Sequence, residues 1–373
     1  CLNDLYETAG LVRVDAAFLT HLKSIDAPLS ERLQQARLQP DALSAREESD
    51  LLIALSPHLE DFLALLFGIT SEIHALAAQH HALAPLYSVK RLFVQRRALS
   101  KVNTDALQDF DATAARQTLT NAFGEAFTEL SFARHITDWL TDEATHSAML
   151  DLAAHYAAWA TTTAEGKKLH REGVLFKTPT KLDFMRLVPH LDSTQQAGYT
   201  AHTLNDAHLR HRDGFALTDL GTDLTGALDQ ANYCIWCHEQ GKDACSKGMR
   251  EKVAKGEPAH SAAFKKSPFG VTLAGCPLEE RISEFHLVKT RGQPIGALAM
   301  ICVDNPMAAA TGHRICNDCM KSCIYQKQEP VNIPQAETRT LKDVLSLPWG
   351  FEIYSLLTRW NPLNLRRPLP RPD

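Results

Sequence analysis

Eight of the nine cysteines in this 373-residue chain fall between 234 and 323, and none lies from 2 to 233. They are Cys234, Cys237, Cys245, Cys276, Cys302, Cys316, Cys319 and Cys323, with Cys1 alone at the start. Thiols scattered for core packing would not segregate this way, so the pattern points to a metal or redox module. Its grammar is two C-x2-C pairs, Cys234-Ile-Trp-Cys237 and Cys316-Asn-Asp-Cys319, and a C-x3-C step to Cys323. A C-x2-C loop lets two thiolates reach one centre while the amides of the turn point at the sulfurs. Gly275-Cys276-Pro277 adds a Cys-Pro step, a frequent last ligand in ferredoxin-like runs.

Zinc ribbons are also written as two separated C-x2-C pairs. Zinc would use Cys234, Cys237, Cys316 and Cys319, and would leave Cys245, Cys276 and Cys323 without a role. Seven thiols and one oxygen ligand fit two four-ligand iron–sulfur clusters better. Cys302, in the apolar run 298–303, reads as an inert buried thiol.

The ordered motifs Gly275-Cys-Pro-Leu-Glu-Glu-Arg-Ile-Ser-Glu-Phe285, Arg291-Gly292, Asn305-Pro306 and Gly312-His-Arg-Ile-Cys316 carry a resemblance. Residues 231–340 resemble the helical two-cluster ferredoxin module of the glutamate synthase small subunit and of dihydropyrimidine dehydrogenase. The resemblance implies two [4Fe-4S] clusters with crossed ligands. Cys234, Cys237, Cys245 and Cys323 would hold one, and Cys276, Cys316, Cys319 and the carboxylate of Glu337 the other. Glu337 ends Ile333-Pro-Gln-Ala-Glu337, where that family places a carboxylate or an amide. Three features depart from the family: a wider step from Cys237 to Cys245, a lysine-rich insert at 246–271, and no proline after Cys316. In the family a flavin and nicotinamide domain follows, so FAD and NAD(P) are implied on a following domain or a flavoprotein partner. This chain has no Gly-x-Gly turn to cradle a pyrophosphate. The expected function is the electron-transfer portion of a flavin- and pyridine-nucleotide-dependent oxidoreductase, not a complete enzyme. The alternative is a zinc-stabilised interaction domain on a helical scaffold.

The elements that must position these residues read as mainly α. An all-helical domain is expected over 1–230, an α-helical ferredoxin-like domain over 231–340, and a short helix with a proline-rich connector over 341–373. Ser56-Pro57 reads as a helix start, with Leu59, Phe62, Leu63, Leu66 and Phe67 on one face and Gly68 as the cap. Further helical patterns cover roughly 72–97, 113–140, 142–164 and 199–213, and Gly173–Phe176 is a thin candidate for a strand pair. His135 and His146 read as helix-surface histidines, since no His-Glu-x-x-His spacing supports a metal. The basic run Lys90 to Arg97 reads as a solvated face or a contact to a neighbouring domain.

Bulk composition narrows the partners. A formal net charge of −5 gives no reason to expect nucleic acid or an anionic membrane. No apolar stretch reaches the roughly 18 residues that a membrane-spanning helix needs. Cys1 in place of methionine suggests a piece of something longer, and without a secretory signal the cytoplasm is the expected compartment.

Overall fold

The computed structural model describes residues 2–370 except 104–106, 108, 189–190, 205–208, 210–211, 218 and 253–261; of 313–314 it describes the backbone alone. Cys1, the last three residues and the middle of the lysine-rich insert therefore lie outside the described residues. Helix makes up 62% of the chain, and the only sheet among the described residues has two strands, so the protein is mainly α.

Caps in the sequence decide where helices begin. Ser44 and Glu47 form a capping box: the Ser44 hydroxyl accepts from the Glu47 N–H at 3.3 Å, and the Glu47 carboxylate accepts from the Ser44 N–H at 2.9 Å. The helix runs Ala45–Phe67 and stops at Gly68, whose φ of 67° suits a residue without a Cβ. Ser56-Pro57 thus lies inside this helix and does not start it. The upstream box already satisfies the first turn, and the Ser56 hydroxyl donates to the Leu52 carbonyl at 2.9 Å. Leu59, Phe62 and Leu63 are buried as the periodicity requires, while Leu66 is exposed.

Helices Thr8–Ile25 and Ala27–Leu38 precede this one, and Thr70–Val89 follows, running on as a π-helical stretch Lys90–Ala98. Helices Ala112–Phe123, Glu129–Trp139 and Glu143–Thr162 come next, and Gly124 breaks the first pair at φ 67°. The expected helix at 199–213 is a strand over its first six residues. Leu191–Gln196 pairs antiparallel with Tyr199–Leu204, Gln196 opposite Tyr199, about a two-residue turn with Gly198 at φ 91°. Tyr199, Thr200 and Thr203 are strand formers, and a hairpin turn with positive φ outweighs the alanine and leucine content nearby. Gly173–Phe176 forms no strand pair: the Val174 and Leu175 N–H groups donate to the Glu129 carboxylate at 2.7 and 2.8 Å.

Two cores result, and they are not laid out in chain order. Phe18, Leu52, Leu59 and Phe62 from the first helices share a core with Phe285, Leu298, Val344 and Trp360 from the last third. The second core gathers Phe93, Phe132, Tyr156 and Phe176, and takes Leu228 from the helix Leu224–Tyr233. Residues 360–365 sit within the first core, with Trp360 fully buried. No helix among the described residues is long and apolar enough to cross a membrane.

Glu60 joins the two halves of the first core. Its buried carboxylate accepts the N–H groups of Ile295 and Gly296, at 2.8 and 3.1 Å, at the start of helix Pro294–Asp304. Burial raises its pKa to about 8 although both N–H bonds pull the other way. A carboxyl held protonated by the fold favours folding below its unfolded pKa. That contribution is lost as pH rises through the folded value of about 8. Glu60→Gln keeps an acceptor and cannot titrate. Urea unfolding between about pH 5 and about pH 8.5 should therefore show a flatter pH dependence in the variant. An unchanged slope would remove Glu60 from the account.

Candidate thiol site

Cys234 ends the helix Leu224–Tyr233, which Asp223 starts by accepting the Gly226 N–H at 2.7 Å. The next turn puts Trp236 at φ 51°, in the left-handed region that non-glycine residues seldom occupy. This bend brings Cys237 round to open a short 3-10 turn, and Cys245 follows on the one-turn helix Ala244–Lys247.

Cys323 reaches the same place from far along the chain. Tyr325 stacks on Tyr233 with ring centroids 4.4 Å apart and a 6° tilt, and its hydroxyl donates to the Tyr233 carbonyl at 3.2 Å. One residue after Tyr233 and two before Tyr325, the thiols of Cys234 and Cys323 are brought together. Burial pushes Cys234 up to about 12, and the neighbouring Cys237 and Cys323 add to it. Cys237 is raised to about 11 by burial, then by Asp243 and Cys323. Cys245 stands well above the ordinary thiol value through burial, Asp243, Cys234 and Cys323. Four thiols from three segments thus lie within electrostatic reach of one another.

A second set lies alongside. Cys276 is raised to about 11 by burial, with Glu280 and Glu337 contributing. Burial raises Cys319 further, and Cys276, Glu280 and Glu337 add to it. Glu337 is a buried residue of helix Ile333–Leu345, accepting from Asn305 Nδ2 at 3.3 Å. Burial and the facing Glu280 raise it to about 8. Cys302 is buried as expected, yet its thiol feels Glu337 and Glu280. Cys316 is exposed and hydrogen-bonds to Asp318, so it is not drawn in with Cys276 and Cys319.

Backbone contacts join the two sets. The Cys276 N–H donates to the carbonyls of Cys245 and Ser246, at 2.9 and 3.0 Å. The Gly275 N–H donates to the hydroxyl of Ser322, the neighbour of Cys323, at 2.9 Å. Gly275, at φ 84°, leaves no room for a side chain: a Cβ would stand 2.4 Å from the Gly248 nitrogen.

Three parts of this site were not picked out from the sequence. Glu280 was quoted only within a motif, though an acidic pair that begins two residues after a Cys-Pro step was its signal. Asp243, raised to about 7 by burial and Glu284, precedes Cys245 by two residues. The Tyr233–Tyr325 stack had no local signal. His135 stacks on Phe123 at 4.5 Å and His146 on Trp139 at 5.7 Å, each as a packing residue.

Residues 1–68 match the family described as the RP005 N-terminal alpha-helical domain. The uncharacterized protein RP005 of Rickettsia prowazekii (strain Madrid E) is 31% identical over 301 residues, which span 78% of this chain and 96% of that protein. Another relative from that organism, the uncharacterized protein RP006, is 69% identical over 65 residues, 17% of this chain and 9% of its own length. No solved structure matches.

These findings overturn the resemblance to the glutamate synthase and dihydropyrimidine dehydrogenase module. The matching family is a different one, and its members carry no iron–sulfur or oxidoreductase name. Among the described residues, no group of three or more His, Cys, Asp or Glu side chains is arranged to hold a metal ion. The labels that came with the resemblance, iron–sulfur protein and FAD-dependent oxidoreductase, fall with it. The physical departures agree: the widened step to Cys245, the insert after it, and a Cys316 turned out to Asp318. By its match along nearly the whole of RP005, the chain belongs to the RP005 family.

Proposed function

We propose that residues 224–345 form an electron-relay module, in which thiolates of the two adjacent sets hold metal centres. The reading rests on the side chains themselves and not on the family set aside above. The observation that carries it is the hydrogen bond from Cys276 N–H to the Cys245 carbonyl, at 2.9 Å. It joins the backbone of one thiol set to the backbone of the other, and electron transfer needs neighbouring centres in a rigid medium. Cys234, Cys237, Cys245 and Cys323 are all thiols, the donor type a soft metal takes, and they would have to draw closer together to hold one. The second set would offer Cys276 and Cys319 with the Glu337 carboxylate. A metal centre there would supply a one-electron couple, and the fold would supply ligand spacing and exclusion of water.

The second reading is a zinc-stabilised interaction domain. Cys245, Cys319 and Cys323 belong to the same core as the first helices, so a structural ion there would also brace the fold. Metal analysis of anaerobically prepared protein separates the readings. A bound redox-active metal, with a visible absorption that a reductant bleaches, is the expected result. Zinc alone would select the interaction domain, and no bound metal would sink both. Cys234→Ala is expected to lower the bound metal by about half if the sets load independently, or to empty both if loading and folding are coupled. Unchanged metal content in this variant would refute the assignment of the first set.

A further inference from the structure

Between the two cores opens a cleft of about 1130 Å³ that the thiol chemistry does not use. It is large for a small-molecule site, whose usual range is about 300–1,000 Å³. One wall is aromatic, with the stacked Tyr233–Tyr325 pair, Trp236 and Phe176. The lining is also cationic: Lys90, Arg91, Lys167, Arg171 and Lys177 take part in it, against Asp229 and Glu329. Both acids are already engaged. Asp229 accepts from Lys90 at 2.6 Å, and Glu329 accepts the Thr180 N–H at 3.1 Å. Arg171 pairs with Glu172 at 3.0 Å.

Three cations remain. Arg91, Lys167 and Lys177 make no ion pair among the described residues, although Asp229 also feels the Lys177 charge, and all three line this cleft. Unpaired cations gathered around a concave surface repel one another, and an anion relieves that repulsion. Tyr233 and Tyr325 cover one face of each other, and the aromatic residues of the lining suit a planar ring stacked on an outer face.

We infer that this cleft binds a nucleotide, its phosphates on Arg91, Lys167 and Lys177 and its base against the Tyr233–Tyr325 face. A chain of side chains does here what a glycine turn does elsewhere, so the absence of Gly-x-Gly is no obstacle. A single nucleotide is the occupant proposed, and a strand of nucleic acid is an outcome of the test below. Cys234 lies on the same wall, which sets the bound ring beside the first thiol set. The inference stands apart from the metal reading, since no metal ligand is asked to bind the phosphates.

Isothermal titration of the full chain, with and without bound metal, tests it using ATP, inorganic pyrophosphate and adenosine as probes. ATP is expected to bind with Kd below about 100 μM, and each half-probe at least about tenfold more weakly. Lys177→Glu and Arg91→Glu should each weaken ATP about tenfold or more with unchanged circular dichroism, and Lys177→Gln by less. Tyr325→Leu should weaken ATP and leave pyrophosphate unaffected. The inference is overturned if ATP gives no heat at about 1 mM, or if charge reversal leaves its affinity unchanged. A single-stranded oligonucleotide bound more tightly than ATP would overturn it equally.

Discussion

Trp360→Ala is expected to cost about 3–5 kcal/mol of stability, the range for emptying a fully buried aromatic site. Trp360 has no exposed surface, and its ring meets Phe18 and Phe62 edge-on, each at a centroid distance of 5.9 Å. Its indole N–H donates to Asp15 Oδ1 at 2.8 Å, and Asp15 in turn receives both guanidinium ends of Arg37. The alanine variant therefore leaves a cavity and takes one donor from a nearly buried carboxylate. Trp360→Phe should recover most of the packing and none of the hydrogen bond, so its cost should fall between wild type and Trp360→Ala. Urea denaturation followed by circular dichroism measures both. A loss under about 1 kcal/mol in the alanine variant would show that the site collapses without penalty.

The second large effect concerns Lys289 and Asp343, both fully buried and paired at 2.7 Å. Arg339 Nε donates to the other Asp343 oxygen at 2.6 Å. Removing Lys289 leaves the buried Asp343 with the part-exposed Arg339 alone, so Lys289→Ala should destabilise by about 3 kcal/mol. Replacing both, as Lys289→Met with Asp343→Leu, should cost less, because the one charge left without its partner, Arg339, reaches solvent. A double variant as unstable as the single one would show that the pair contributes in its own right. Two neighbouring histidines depend on this pair. Burial, then the Lys289 charge, holds His286 down to about 3, and the same two causes lower His80.

Much of the helical plan was legible because it rests on local chemistry. Gly68 and Gly124 mark helix ends by their positive φ, as glycines after apolar runs should. Ser56-Pro57 misled because a serine–proline step resembles a start wherever it occurs, and only the capping box twelve residues upstream shows that the helix is already running. Residues 199–204 misled because composition outvoted a single glycine turn. In the site, the segregation of cysteines was visible as a pattern, whereas the burial of Glu337 is a fact of the fold alone. The family resemblance drawn from the same motifs did not hold, since short ordered motifs can recur without shared descent. Pairing of Tyr233 with Tyr325, and of Glu280 with Glu337, was out of reach. These contacts join residues 92 and 57 positions apart, and no periodicity extends across such gaps.

The interleaving of the two cores sets a schedule for the growing chain. Helices within 8–67 leave the ribosome with their apolar faces only partly covered by one another, because much of the core they share is built from residues 282–365. At roughly 5–20 residues per second, the wait is on the order of 15–60 s. During it the second core can close, as most of its residues lie between 86 and 176. The nascent protein is then a finished helical knot towing a sticky leader. A holdase that covers apolar helices should bind that leader, and should let go once Trp360 has been made.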